Sequence, residues 1–158
     1  MIITILKWSG IIVAVLITLA ALVALVGLVR LARNQPDTGS VPIGVTDGRL
    51  QPCPRTPNCV STHAPPTDSV HAIPPIPAGD DPTKTFGRAV AWIEEQPRAV
   101  VVTRRADYVH AVFRSRLFGF KDDFELYLPA DRDVIHVRSA ARVGRGDMGV
   151  NGRRYEKL

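Results

Sequence analysis

From Ser9 to Val29 the chain reads SGIIVAVLITLAALVALVGLV, without one charged residue. As a helix, a run of that length crosses a hydrocarbon layer of roughly 30 Å. A cleavable signal sequence carries a shorter apolar stretch, about 7–15 residues, closed by a small-residue cleavage site. A core helix of a water-soluble domain carries an apolar stripe, whereas this run is apolar on every face. A retained single span therefore fits best, at residues 9–30 behind an N-terminal tail 1–8. Lys7 precedes it and Arg30 and Arg33 follow it, so the distribution of positive charge leaves its orientation undecided.

The chain has two cysteines, Cys53 and Cys59, both inside LQPCPRTPNCVSTHAPP, Leu50 to Pro66. So many prolines exclude a helix or a central strand there. The C-x5-C loop is pre-bent by Pro54 and Pro57, and a bridge across so short a loop contributes about 2 kcal/mol. A redox pair would favour C-x-x-C at a helix N-terminus. A zinc site of Cys53, Cys59, His63 and His71 has suitable ligand types but no recurring spacing. The structural disulfide is the preferred reading, with the zinc site and a lone nucleophilic cysteine behind it. A disulfide fits an oxidising compartment. The preferred topology thus has the N-terminus in the cytoplasm and the rest outside, as in a single-pass protein of a bacterial inner membrane. An outward-facing domain and a disulfide are each expected where the other holds.

Residues 31–49 read as a linker and 50–158 as an extracytoplasmic domain. Within it, 83–158 is the core, and 50–82 is a Pro- and Cys-rich extended segment that either tethers that core or wraps onto it. DDPTKTFGRAVAWIEEQP reads as a helix: Asp81 caps it, Pro82 suits its first turn, Phe86, Val90 and Ile93 share a face, and Pro97 ends it. AVVVT (99–103), DYVHAVFRSRLF (107–118), DDFELYL (122–128) and DVIHVRS (133–139) read as strands joined by short links. DMGVNGRRYEKL is a candidate closing helix weakened by Gly149 and Gly152. The expected fold class is α+β, one helix on an antiparallel sheet of about four strands, preceded by a transmembrane helix and the extended segment. Alternation puts Val109, Ala111, Phe113, Phe124, Leu126, Leu128, Ile135 and Val137 on the helix side. His110, Arg114, Asp123, Glu125, His136 and Arg138 fall on the other.

Three stretches carry a family resemblance: CPRTPNCVST (Cys53–Thr62), YVHAVFRSRLFGFKDDFELYL (Tyr108–Leu128) and RSAARVGRGDMGVNGRR (Arg138–Arg154). In that order they resemble domain-of-unknown-function family 1499. Ala141 stands where that pattern has a second serine, Arg145-Gly146 replaces a polar-aromatic pair, and Gly152 replaces an arginine. The resemblance covers nearly all of the chain after Leu50. It implies an extracytoplasmic or membrane-anchored domain of one common fold, and no particular activity.

The net charge of +5 favours anionic partners. No zinc-finger, RNP-like or helix-turn-helix pattern points to nucleic acid. No P-loop, nucleophile elbow or HExxH motif points to an enzyme, and no catalytic residue, cofactor or resident metal is assigned. Asp122, Asp123 and Glu125 could bind a cation or do acid–base work, with His110 and His136 as proton shuttles or ligands. The plainer alternative is that Arg114, Asp123, Glu125 and Arg138 pair across the ladder. The ending concentrates arginines at 138, 142, 145, 153 and 154, whose forks suit phosphate or carboxylate, amid glycines that let backbone amides approach an anion. Its plainer alternative is that Arg138 and Arg142 lock the loop by pairing with Asp122, Asp123 or Asp147.

The expectation is therefore a binding or accessory module for an anionic group, such as a lipid headgroup or carboxylate, or for an envelope partner. The candidate ligand residues are Arg114, Asp122, Asp123, Glu125, His136, Arg138, Arg142, Asp147 and Asn151, with Arg114, Arg138 and Arg142 holding the anion. The alternative is a metal-assisted hydrolase built on the Asp/Glu/His face.

Overall fold

The computed structural model describes residues 2–34, 42–131 and 133–158. Residues 35–41 of the expected linker lie outside the described residues. The chain divides into two compact units, Met1–Asn34 and Gln35–Leu158.

The first unit is helix α1, Ile2–Arg33. Within it Gly10–Leu31 is long and apolar enough to cross a membrane, which makes it a candidate anchor. Thr18 lies inside this run, and its hydroxyl donates to the Ala14 carbonyl at 2.9 Å, so it adds no unpaired polar group.

The second unit is α+β. Helix α2 spans Pro82–Glu95. The Asp81 carboxylate accepts from the Lys84 N–H at 2.9 Å, and Pro82 opens the first turn where its missing N–H costs nothing. Four longer strands follow: β5 (Ala99–Arg104), at the sheet edge, β6 (Tyr108–Arg114), β7 (Lys121–Tyr127) and β8 (Val134–Ala141). They form an antiparallel meander, and a short helix α3 (Val150–Tyr155) closes the chain. The helix-side residues expected from alternation are those buried here. Phe86, Ala89, Val90 and Ile93 of α2 pack on Val109, Ala111, Phe113, Phe124, Leu126, Leu128, Ile135 and Val137.

The expectation of about four strands is corrected. The sheet has six strands, because the Pro/Cys-rich segment supplies β3 (Cys59–Ser61) and β4 (Ile76–Pro77), both paired antiparallel with β8. Short edge strands tolerate the prolines that exclude this segment from a central position. A separate hairpin, β1 (Val45–Thr46) and β2 (Arg49–Leu50), turns through Asp47 and Gly48, both at positive φ. Asp-Gly is the residue pair such a two-residue turn favours. The segment thus wraps the sheet rather than merely tethering it. Cys53 and Cys59 are joined by a disulfide, 5.7 Å between Cα atoms, which excludes the two sulfurs as zinc ligands.

Candidate functional site

Alternation places a second set of side chains on the sheet face away from α2, and the structure buries most of them. Glu125 and Arg138 are directly opposed on β7 and β8. Both are 0 % exposed, and Arg138 Nη1 donates to Glu125 Oε2 at 2.7 Å. Glu125 Oε1 accepts from the Tyr108 hydroxyl at 2.8 Å and from the backbone N–H of Gly44 at 2.7 Å. Asp123 sits two residues away on the same face. Its carboxylate receives Arg142 side-on, Nε to Oδ2 at 3.0 Å and Nη2 to Oδ1 at 2.7 Å, and His110 Nε2 lies 2.7 Å from Oδ1. This face is therefore neither an open cleft nor a solvated surface. Burial pulls the Asp123 carboxyl upward, but the hydrogen bonds from His110 and Arg142 outweigh it and leave the group below its usual range. Tyr108 is pushed up by burial and by the adjacent Glu125 charge.

The cover is the segment ahead of α2. Gly44 reaches Glu125, and Ser61 stands opposite Arg138 in the ladder. His63 stacks on His136 with ring centroids 3.8 Å apart. Leu50 N–H donates to His63 Nδ1 at 3.0 Å, and Arg49 donates to the His63 carbonyl at 2.9 Å. His136 Nδ1 lies 3.0 Å from the Thr62 hydroxyl. Burial, His136 and Arg49 lower the His63 pKa to about 4, and burial with Arg49 lowers His136. Asp131 acts on His136 in the opposite sense.

A depressed histidine pKa means that the unfolded chain takes up the proton first. Stability is thus complete above about 6.5 and falls as pH drops from there toward 4. Both rings are half-buried, so the expected loss is only about 1–2 kcal/mol. Thermal unfolding of the detergent-solubilised full chain from pH 7 to pH 4 checks this. His63→Gln should flatten the slope, and a flat wild-type profile would count against it.

The other end of the sheet is built differently. Asp122, on the α2 side of β7, pairs with Arg154 of α3 at 2.8 Å. Burial raises the Asp122 pKa, Arg154 opposes the rise, and Asp147 and Asp123 add to it. Asn151 is fully buried. Its Nδ2 donates to the Asn58 carbonyl at 3.2 Å, and its Oδ1 accepts from Ser139 and Arg154. Asp147 caps α3 through the N–H groups of Gly149 and Asn151, at 2.9 and 2.8 Å. The Arg154 guanidinium also lies over the Phe113 ring, 4.4 Å from its centroid. Arg154 marks the wall of a cavity of about 360 Å³ whose cations are Arg98, Arg114, Arg116, Arg153, Arg154 and Lys157. Trp92, Pro97, Phe113 and Val150 supply its apolar surface, and among the described residues no carboxylate lines it.

The candidate residues therefore separate. Asp123, Glu125, Arg138 and Arg142 come together in the buried ionic face. Asp122, Asp147 and Asn151 organise α3. His136 belongs to the covering latch, and Arg114 alone lines the cavity. The proposed anion trio of Arg114, Arg138 and Arg142 is not one site, because Arg138 and Arg142 are taken up by Glu125 and Asp123. The sequence reading missed Arg98, Arg116, Lys157 and Trp92. They lie in α2, the turn after it, the β6–β7 loop and the C-terminus, and no local spacing joins them. Among the described residues no three His, Cys, Asp or Glu side chains converge as a metal site. His71 instead holds Asp68 at 2.7 Å and faces the Thr56 carbonyl at 3.2 Å.

Comparison with known proteins gives two findings. The model of the family DUF1499, described as a protein of unknown function, matches residues 49–158. The chain is similar to the thylakoid lumenal 17.9 kDa protein, chloroplastic, of Arabidopsis thaliana, at 35 % identity over 107 residues. That match takes in 64 % of this chain and 45 % of the relative, so the chain spans under half the relative's length. No solved structure matches.

Proposed function

Because this chain belongs to the DUF1499 family, a family without an assigned activity, we propose that it is a membrane-anchored, extracytoplasmic binding module for an anionic ligand, held in the cationic cavity beside α3. The membrane side of the reading draws on the candidate span Gly10–Leu31 and on the disulfide. The lumenal relative supports the extracytoplasmic side, since a lumen also lies across a membrane from the compartment of synthesis. A bacterial inner membrane is the setting that best joins these features.

The cavity is the observation that carries the ligand class. Six cations share this wall, and although Asp122 compensates Arg154, the concentration of positive charge draws an entering anion. Arginine forks favour phosphate and carboxylate oxygens, and Trp92 and Phe113 give the site an apolar wall. The metal-assisted hydrolase reading draws less support, since Asp123 and Glu125 spend their oxygens on arginine, histidine, tyrosine and a backbone amide.

Inorganic pyrophosphate is a suitable probe. It should raise the melting temperature of the solubilised full chain, with half-saturation at or below about 1 mM. Arg116→Glu with Lys157→Glu, at exposed wall positions, should weaken binding at least about tenfold and leave the ligand-free melting temperature nearly unchanged. No shift in the wild type, or an equal shift in the variant, removes the cavity as an anion site.

A further inference from the structure

Two exposed apolar side chains neighbour cavity-wall residues along the chain, and anion binding does not use them. Leu117 follows the wall residue Arg116 in the β6–β7 loop and is 82 % exposed. Met148 precedes α3 and is 93 % exposed, and its carbonyl accepts from the wall residue Arg153 at 2.8 Å. Neither belongs to the hydrophobic core. Both stand beside turns with left-handed backbone. Gly119, at φ 73°, closes the β6–β7 loop, where the Ser115 hydroxyl accepts from the Phe120 N–H at 2.9 Å. Met148 itself has φ 55° and Gly149 has φ 74°, and the Gly149 N–H is fixed by the Asp147 carboxylate. A bulky residue in a left-handed conformation is uncommon, and here it presents a flexible thioether to solvent.

We infer that this end of the domain is a docking surface for an anionic bilayer, with Leu117 and Met148 entering the headgroup boundary and the cationic cavity receiving a lipid phosphate. The inference rests on the anion-site reading and names the form in which the anion arrives. Cations set around protruding apolar side chains are the arrangement that binds a negatively charged interface. The apolar tips gain by leaving water, and the cations gain from the surface potential. A free anion would explain the cavity and leave the two tips without a role. A chain that carries its own membrane span meets the bilayer surface at high effective concentration, so even a weak docking site is occupied. Arg145, exposed two residues before Asp147, adds a further cation on the same loop.

The test uses the full chain in nanodiscs, with Met148 as its own reporter. Met1 is the other methionine in the chain, so sulfoxide formation at Met148 can be read by peptide mass spectrometry. A water-soluble, membrane-impermeant oxidant should modify Met148 at least about fivefold more slowly in phosphatidylcholine discs containing 30 % phosphatidylglycerol than in phosphatidylcholine alone. Arg116→Glu with Lys157→Glu should abolish that difference, and about 10 mM pyrophosphate should reduce it. Equal oxidation in both discs, with pyrophosphate still raising the melting temperature, overturns the docking surface and leaves a soluble-anion site. Equal oxidation with no pyrophosphate effect overturns both readings. Protection that is as strong in neutral discs, or that survives the double variant, overturns the phosphate-recognising surface in favour of simple apolar insertion.

Discussion

Glu125→Ala should cost on the order of 3–5 kcal/mol, the range found when one partner of a buried ion pair is removed. Glu125 is the only acid that Arg138 bonds among the described residues, through a single Nη1 contact, while Arg138 Nε and Nη2 have no hydrogen-bond partner there. Removing the carboxylate leaves a guanidinium at zero exposure with no counter-charge, and strips the Tyr108 hydroxyl and Gly44 N–H of their acceptor. Against a typical total stability of about 5–15 kcal/mol this is a large fraction. Part of the cost should disappear when both charges go together. Glu125→Leu with Arg138→Met leaves no unpaired buried charge and is expected to recover part of the loss, with about 1–3 kcal/mol remaining for the Tyr108 hydroxyl and Gly44 N–H that still lose their acceptor. Chemical denaturation of the solubilised chain, followed by near-ultraviolet circular dichroism, measures both. A loss below about 1 kcal/mol for the single substitution would mean that the pair is open to water.

How far this could be read from the sequence depends on the range of the interactions. Helix α2 and strands β5 to β8 were legible because each rests on a local period: 3.6 for Phe86, Val90 and Ile93, and 2 for the strand residues. The cap at Asp81 and the turn between β7 and β8 are likewise local. The strands β3 and β4 were not legible. Three and two residues long, they carry no period, and their strand character comes from pairing with β8 some eighty residues later in the chain for β3 and closer for β4. Asp47-Gly48, with strand-forming Val45 and Thr46 before it and Leu50 after it, was a hairpin signal left unread.

The site divides along the same line. Alternation placed Asp123, Glu125 and Arg138 on one face of the sheet, which is where they lie. It could not tell whether that face is wet, because the cover is a proline-rich segment whose own sequence promises no structure. Only the tertiary fold turns an exposed row of charges into a buried one. The cationic cavity was hidden more deeply. Its wall takes Trp92 from α2, Arg98 from the turn after it, Arg116 from the β6–β7 loop and Arg153 from α3. The crowding of arginines near the C-terminus pointed to anions but not to which of them remain open. Arg138, Arg142 and Arg154 look equivalent to Arg153 in sequence. The fold gives the first three to carboxylates, Arg138 to Glu125 across the β7–β8 ladder, Arg142 to Asp123 and Arg154 to Asp122.

Arg142→Ala tests that assignment through pH. In the native protein Asp123 lies below its usual range, so it contributes stability above the unfolded carboxyl pKa near 3.8 and loses it as pH falls through the folded value. Without Arg142 the carboxylate stays buried at 2 % exposure and keeps the His110 contact but loses its two guanidinium hydrogen bonds, so burial weighs more heavily. At pH 7 the expected loss is about 3–5 kcal/mol, for an ionised group left without its cation. The sign of the pH dependence should also invert for this group. Its folded pKa now exceeds the unfolded one, so protonation favours the folded state and the deficit shrinks as pH falls from 7 toward 5. The histidine pair destabilises both proteins over the same window, so the quantity to follow is the difference between variant and wild type at each pH. Adding Asp123→Asn to Arg142→Ala removes the titrating group. That double variant should show a smaller deficit that does not change between pH 7 and pH 5. A deficit in Arg142→Ala that is equally constant would show that Arg142 acts through its packing and other contacts, and that the Asp123 charge is screened by water.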